Sequence, residues 1–414
     1  MKQVDDLNNA EYSAARTVPV QPFWAEADGP RPTVLQVLPA LVQGGVERTT
    51  VDIAGAVAKA GGRALVVSAG GPMVHEIARA RAEHITLPVD SKNPFVIYAN
   101  IARLVKIIVD NDVDVVHVRS RAPAWSAWAA AKRTGVSFVT TFHGTYSLGG
   151  RLKRRYNAIM IRGQRVIANS TFIAGHIRKN YGVEAAKLKI IHRGVDLERF
   201  DAQKVLAQRV IGLADEWRLG DGLPVVMLPG RLTRWKGQTV FIKAIANLVG
   251  RGRTDIRCLL VGSDQGRRNY RKELDKLIAE NGLNEIVRIV ENCNDMPAAY
   301  MLTDVVVSAS TDPEAFGRVV PEAQALGRPV IATDHGGARE TVIPGETGWL
   351  VPPGDVEALA GAIEHVLGLD EKARKELAEK AVVNVRQHFS KAAMCAKTLE
   401  VYDDVIQLTA NPNA

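Results

Sequence analysis

Glu314 and Glu322 stand in the stretch EAFGRVVPE, with Gly317, Arg318 and Pro321 among the seven residues between them. Carboxylates can accept hydrogen bonds from hydroxyl groups. Pro321 is tolerated only within the first turn of a helix, so the stretch predicts a helix that starts at or near Gly317 and ends at Gly327. Glu314 then lies in the loop before the helix and Glu322 inside it. A helix N-terminus suits an anion, so the pattern fits a diphosphate flanked by two groups that bind sugar hydroxyls. Two solvated surface glutamates would be the plainer reading, and the flanking apolar residues weigh against it. A second stretch, GRLTRWKG, sets Arg231 and Lys236 five apart in a turn closed by Gly237. An arginine forks two phosphate oxygens while a lysine adds a point charge. A third, QGGVER, places Gly44 and Gly45 where backbone could approach a ligand ahead of a helix. On that loop alone a plain strand–helix turn is the better reading. It is not G-x-G-x-x-G, and no acidic residue closes the next strand, which argues against a dehydrogenase.

These loops need strands and helices to hold them. TVLQVLPALVQGGVERTTVDIAGAVAKAGGRALVVSAGG reads as a buried strand from Val34 to Leu38, a glycine loop, a helix with Val46, Ile53 and Val57 on one face, and a strand from Ala64 to Ser68. VDVVHVRS and SFVTTFHG are further β-branched strands around an alanine-rich helix. PVVMLPGRLTRWKGQTVFIKAIANLVGRG repeats the strand–glycine loop–helix rhythm, and RCLLVGSD, VRIVEN, DVVVSAS and PVIATD continue it. Short apolar strands alternating with amphipathic helices mean α/β folding with parallel sheets covered on both faces. Two such blocks suggest two Rossmann-like, doubly wound domains, 31–205 and 222–385. The break is expected in the stretch at 200–222, and a helix over 390–407 is expected to pack back on the first domain. In such sheets ligands bind beyond the carboxyl ends of the strands, where nearly every residue singled out above lies.

The chain has 414 residues, and single cores stop growing at about 250–300, so two domains are the default. Cys258, Cys293 and Cys395 are odd in number and far apart, which argues against a disulfide framework and suits a reducing cytosol. Residues 1–30 have mixed charge and no apolar centre, as in a loose tail rather than a signal peptide. No run approaches the ~18 apolar residues of a membrane span. The net charge is +8, and residues 151–200, with 12 basic and 3 acidic side chains, supply the surplus. Within RLKRRYNAIMIRGQRV, helical spacing places Leu152, Tyr156, Ile159, Met160 and Val166 near one face, with six cations mostly around it. This predicts peripheral docking on an anionic membrane through residues 151–165. Few aromatics are interleaved, so no nucleic acid partner is expected.

GRLTRWKG, DMPAAYMLTDVVVSAS, PEAFGRVVPEAQALGRPVIATDHGGARETV and GETGWLVPPGD together resemble the C-terminal domain of family 4 retaining glycosyltransferases. HRGVDLERF resembles the family's segment before its interdomain linker, and the likeness spans about residues 33–407. Within the family the chain is most similar to lipopolysaccharide-core mannosyltransferases of alpha-proteobacteria. The resemblance implies the GT-B architecture, two Rossmann-like domains facing a cleft. It implies that Arg231 and Lys236 neutralise the donor diphosphate, that Glu322 binds the ribose, and that Glu314 contacts the transferred sugar. It also implies that the backbone of Phe316, Gly317 and Arg318 holds the distal phosphate, that Gly45 closes over the phosphates, and that His143 lies near the reacting carbon. A lone strand-end histidine is otherwise more often structural, and His117 is expected to be a satisfied strand histidine. The family's usual asparagine before Gly-Val-Asp is Arg193 here, and no polar role is expected of it.

The resemblance implies a cytoplasmic enzyme, peripheral at the inner membrane. It would move a hexose, mannose from GDP-mannose, to a lipopolysaccharide-core or other lipid-linked acceptor with retention. Arg231, Lys236 and the helix at Gly317 would stabilise the leaving diphosphate without a metal or cofactor, and Asp-x-Asp is absent. The rivals are a nucleotide-sugar epimerase on the same fold and a non-enzymatic GT-B subunit. Retention of Glu314, Glu322, Arg231 and Lys236 favours the enzyme.

Overall fold

The structure is a computed structural model that describes Trp24 and residues 31–411, apart from Gln43, Ser147 and Asn292. The tail expected over residues 1–30 lies outside the described residues except for Trp24. That side chain is buried against the first core, and its backbone N–H donates to Ala60 O at 3.0 Å.

Packing divides the chain into two units, 1–194 with 391–414, and 195–390. The first holds a seven-stranded parallel sheet: β1 Thr33–Val37, β2 Arg63–Ser68, β3 Glu83–Thr86, β4 Val115–Val118, β5 Ser137–Phe142, β6 Arg165–Ala168 and β7 Leu188–Ile190. Its order is β3-β2-β1-β4-β5-β6-β7. The second holds six parallel strands: β8 Val225–Pro229, β9 Arg257–Val261, β10 Val287–Val290, β11 Val305–Ser308, β12 Val330–Thr333 and β13 Trp349–Val351. Its order is β10-β9-β8-β11-β12-β13. β1, β4, β5, β8 and β12 are buried along their whole lengths, as strands covered by helices on both faces must be. Each buried Val or Leu contributes about 1.5–3 kcal/mol, so these strands are the energetic centre of each unit. The strand order reverses beside β1 in one sheet and beside β8 in the other. Those switch points open crevices at the strand ends.

The helix Lys391–Ala410 belongs to the first unit, where Met394, Cys395, Leu399, Tyr402 and Val405 join the core around β4 and β5. The break expected at 200–222 falls instead at Gly194 and Val195. Residues 207–216 are helical, and Phe200, Trp217 and Leu219 are buried with Val225, Met227 and Tyr300 in the second core. Polar neighbours in sequence conceal these three anchors.

The basic stretch is not one amphipathic helix either. It is a helix Arg151–Asn157, a 3-10 turn Ala158–Ile161, and then β6. Ile159 and Met160 are buried, whereas Leu152 is 85% exposed. Gly163 ends the helical run: a Cβ there would stand 2.8 Å from Phe138 O and 2.6 Å from Arg165 O. Arg165 lies in β6 and pairs with Asp404 at 2.7 Å, so it is not available to a surface partner.

Candidate functional site

In the second unit the turn Arg234–Lys236 follows β8 and closes at Gly237, whose φ is +74°. A Cβ on Gly237 would stand 1.8 Å from Ala309 O, so glycine alone lets the turn lie against the end of β11. Thr311 N donates to Trp235 O at 2.7 Å across the same contact. Lys236 is thereby carried to Glu314. Its Nζ donates to Glu314 Oε1 at 2.7 Å, with the two side chains 12% and 16% exposed. Ser310 Oγ donates to the same oxygen at 2.6 Å, and Ser308 Oγ reaches it at 3.5 Å. Burial pushes the Glu314 pKa up. The charge of Lys236 and the hydrogen bonds from Lys236, Ser310 and Ser308 outweigh it, and the carboxyl ends below its ordinary range. Glu314 therefore stays ionised, and Lys236, Ser310 and Ser308 all address the same oxygen, Oε1.

The loop carrying Glu314 is held from beneath by the end of β12 and the segment after it. Thr333 Oγ1 and His335 Nε2 both donate to Ser310 O, at 2.9 and 2.8 Å. Gly337 N donates to Glu314 O at 2.9 Å. A Cβ on Gly336 would meet Glu314 O at 2.4 Å, and one on Gly337 would meet Phe316 Cα at 2.5 Å. The glycine pair thus exists for close approach of two loops.

Glu322 sits within the helix Val319–Ala325, which starts two residues later than the sequence suggests. Tyr300 Oη donates to its Oε2 at 3.2 Å, and Arg318 Nε lies 3.5 Å from its Oε1. Burial, then the Glu322 charge, pushes the Tyr300 phenol well above its usual range, so it remains a donor. Arg231 is exposed, and its guanidinium has no partner among the described residues. The backbone N–H groups of Gly317 and Arg318 have no acceptor among the described residues either. A groove of about 630 Å³ opens beside the basic turn, lined by Thr233, Trp235, Gly266, Arg267, Asn269 and Tyr270. Neither glutamate lines it.

In the first unit His143 follows β5. Its Nδ1 lies 3.0 Å from Arg193 Nη2, while its Nε2 is shielded and has no partner among the described residues. Burial, and then the positive charges of Arg193 and Arg119, hold its pKa well below the ordinary histidine range. Gly45 opens the helix Gly45–Lys59, and Arg193 Nη1 occupies the space its Cβ would need, 2.1 Å away. Arg193 thus has a polar role, contrary to the sequence expectation.

Residues 43–199 match the model described as Glycosyltransferase Family 4, and residues 214–383 match Glycosyl transferases group 1. The crystal structure of a glycosyltransferase from Rickettsia africae ESF-5 is 37% identical, with a TM-score of 0.85 over 92% of this chain and 100% of that one. The chain belongs to the glycosyltransferases. With its two parallel-sheet units, this glycosyltransferase has the GT-B fold. The D-inositol 3-phosphate glycosyltransferase of Thermomonospora curvata is 29% identical over 72% of this chain and 73% of its own length. Anabaena Alr3699/HepE, solved in complex with UDP and glucose, is 25% identical with a TM-score of 0.80, covering 90% of this chain and 100% of that one.

Of the residues singled out in the sequence of this glycosyltransferase, Lys236 and Glu314 touch, and Arg318 and Glu322 lie close. Gly45 and His143 meet through Arg193. His117 has both ring nitrogens occupied, by Tyr402 Oη at 2.6 Å and Thr141 Oγ1 at 2.7 Å, so it serves structure. Sequence reasoning missed Ser310, His335, Tyr300 and Arg193, and also Arg119, a buried guanidinium held by Gln36 Oε1 at 2.6 and 2.9 Å. Asn169, 2% exposed with its amide unpartnered among the described residues, was missed as well. Position was the available signal: Ser310, His335, Arg119, Asn169 and Arg193 all lie within three residues of a strand's carboxyl end.

Proposed function

We propose that this glycosyltransferase moves a hexose from a nucleotide-sugar to a lipid-linked glycan with retention, and without a metal ion. The observation that carries the reading is the Lys236–Glu314 pair at the switch point of the second sheet, with Arg231 exposed beside it. Departure of a nucleoside diphosphate builds negative charge on phosphate oxygens. Fixed cations aimed there stabilise the transition state more than the ground state. Lys236 and Arg231 supply the charge, and the N–H groups of Gly317 and Arg318 supply donors. Glu314 holds Lys236 and offers its second oxygen to a sugar hydroxyl. Glu322 accepts from the ribose. With Glu314 tied to Lys236, the departing phosphate is the base that takes the acceptor's proton, which gives retention without a covalent enzyme intermediate. The donor we propose is GDP-mannose. The UDP and glucose bound by the Anabaena relative make UDP-glucose its competitor.

For a lipid-linked acceptor the support is the exposed face at residues 151–156. Arg151, Leu152 and Arg155 face solvent there, and Phe95 and Tyr98 are 86% and 71% exposed on the helix Pro94–Asp110 of the same unit. Each cation near an anionic surface contributes about 1 kcal/mol, enough in combination for reversible docking at the cytoplasmic face of the inner membrane. No helix of the described residues is long and apolar enough to cross a membrane. The D-inositol 3-phosphate glycosyltransferase supports a second reading, a small phosphate-bearing acceptor.

Calorimetry with GDP, UDP and ADP and their sugars, in excess EDTA, tests the donor and the metal independence together. Saturable binding of one nucleoside diphosphate and undiminished transfer are expected. A strict need for Mn²⁺ or Mg²⁺ would contradict the mechanism. Arg151→Glu/Leu152→Ser/Arg155→Glu should release the protein from phosphatidylglycerol vesicles while slow donor hydrolysis persists. If the triple variant sediments like wild type, the membrane role is wrong and the small acceptor is favoured.

A further inference from the structure

We propose that Arg193 is a positioning residue that fixes His143 as a neutral ring with its proton on Nε2, making that histidine a hydrogen-bond donor to substrate and not a base. The proposal rests on the reading that the end of β5 faces substrate.

A guanidinium has five N–H donors and no acceptor. Arg193 Nη2 stands 3.0 Å from His143 Nδ1, so Nδ1 must be the acceptor and the ring proton must sit on Nε2. Protonating Nδ1 would set two N–H groups and two positive charges against each other. The surroundings of the ring oppose it too. Arg193 arrives from the segment after β7, Arg119 and His117 come from β4 and its end, and Tyr146 from the loop after β5 hydrogen-bonds the His143 backbone. No carboxylate is among the charges that shift the ring, and burial and the neighbouring cations all disfavour imidazolium. Nε2 is shielded and unpartnered among the described residues, so its N–H lacks an acceptor, which an oxygen of a bound ligand would supply. Gly45 belongs to the same device. A Cβ there would stand 2.1 Å from Arg193 Nη1, so the first residue of that helix leaves the space through which the guanidinium reaches the ring.

Nitrogen-15 NMR of histidine-labelled full-length protein reads the tautomer directly, with the His143 signal assigned by its loss in His143→Phe. In wild type, an Nε2–H ring that does not titrate between pH 5.5 and 8 is expected. In Arg193→Met the ring should populate both tautomers and become easier to protonate than in wild type, while burial and Arg119 still hold its pKa below the ordinary histidine range. Arg193→Lys, which keeps the charge with a shorter reach, should restore the resistance to protonation in part. Transfer should fall about tenfold in kcat in Arg193→Met, with the nucleoside diphosphate Kd unchanged. In a His143→Phe background the same change should cost less than about twofold more. An Nδ1–H ring in wild type, unaltered titration in Arg193→Met, or fully additive losses would overturn the proposal. Thermal unfolding of each variant separates a folding defect from a positioning one. If His143→Phe transfers at the wild-type rate, the substrate-facing reading of β5 fails, while the NMR outcome still decides the tautomer.

Discussion

The two strand-end sites solve opposite electrostatic problems. In the second unit a carboxylate is largely buried, and Lys236, Ser310 and Ser308 keep it charged. In the first unit a histidine is largely enclosed, and burial, then Arg193 and Arg119, keep it neutral. A buried charge persists only with partners, whereas a buried imidazole among cations simply gives up its proton. On the proposed mechanism the site in the second unit holds charge through a reaction that moves charge, and the site in the first unit presents a fixed dipole. They should break in different ways.

The largest effect is expected at the ion pair. Lys236→Met leaves the Glu314 carboxyl with hydroxyl partners only, and losing one member of a buried pair costs about 3–5 kcal/mol. Denaturant unfolding should show most of that loss. The double variant Lys236→Met/Glu314→Gln should recover much of it, because a neutral amide needs no counter-charge. Transfer should remain down by about a hundredfold or more in both, as on removal of one donor to a developing anion. If stability and activity recover together, the lysine serves the fold alone.

Glu314→Gln by itself should mark the acid limb of stability. The folded carboxyl titrates below its ordinary range, so its contribution is fully present above the unfolded value and is lost as pH falls through the folded one. Below about pH 4.3, the ordinary glutamate value, wild type should lose stability more steeply than the variant. Parallel stability curves would show that the pair is not coupled to folding. Turnover of the variant should fall about tenfold to a hundredfold.

Much of this arrangement can be read from residue types. Largely apolar strands followed by a glycine-containing loop mark β1 and β8, and the strand-end rule then points to Gly45, Arg231 and Lys236. What stays hidden is contact between loops that follow different strands. Ser310 and His335 meet because β11 and β12 are neighbours, and no spacing along the chain records that pairing. Arg193 reaches His143 across fifty positions, through β6 and β7. Residues 151–165 mislead for the converse reason. Their spacing imitates a helix, but Gly163 and the pull of β6 toward the sheet divide it.

A smaller, more selective effect is expected at Glu322. One oxygen accepts from Tyr300, and the Arg318 contact at 3.5 Å is loose, so the group can turn to a ribose. Glu322→Gln should weaken nucleoside diphosphate binding about tenfold, because a hydrogen bond to a charged group is worth about 1.5–3 kcal/mol. Its kcat at saturating donor should hardly change. Glu314→Gln should do the reverse, and identical defects in Kd and kcat would refute the division of roles.

The smallest effect is expected from Gly45→Ala. Gly45 has an ordinary helical backbone at the first position of its helix, so alanine costs the fold little, within about 1 kcal/mol. Its methyl group would meet the end of a flexible arginine, which can move aside. Transfer should then fall a few-fold, to the extent that Arg193 is pushed off His143. The family resemblance gives Gly45 another purpose, to let backbone approach the donor phosphates. The two purposes separate in an Arg193→Met background. If the glycine exists to admit the guanidinium, Gly45→Ala adds nothing once the guanidinium is gone. If it exists to admit a phosphate, the loss persists undiminished and appears in the donor KM rather than in kcat. Steady-state kinetics on the two single variants and the double variant decide between them.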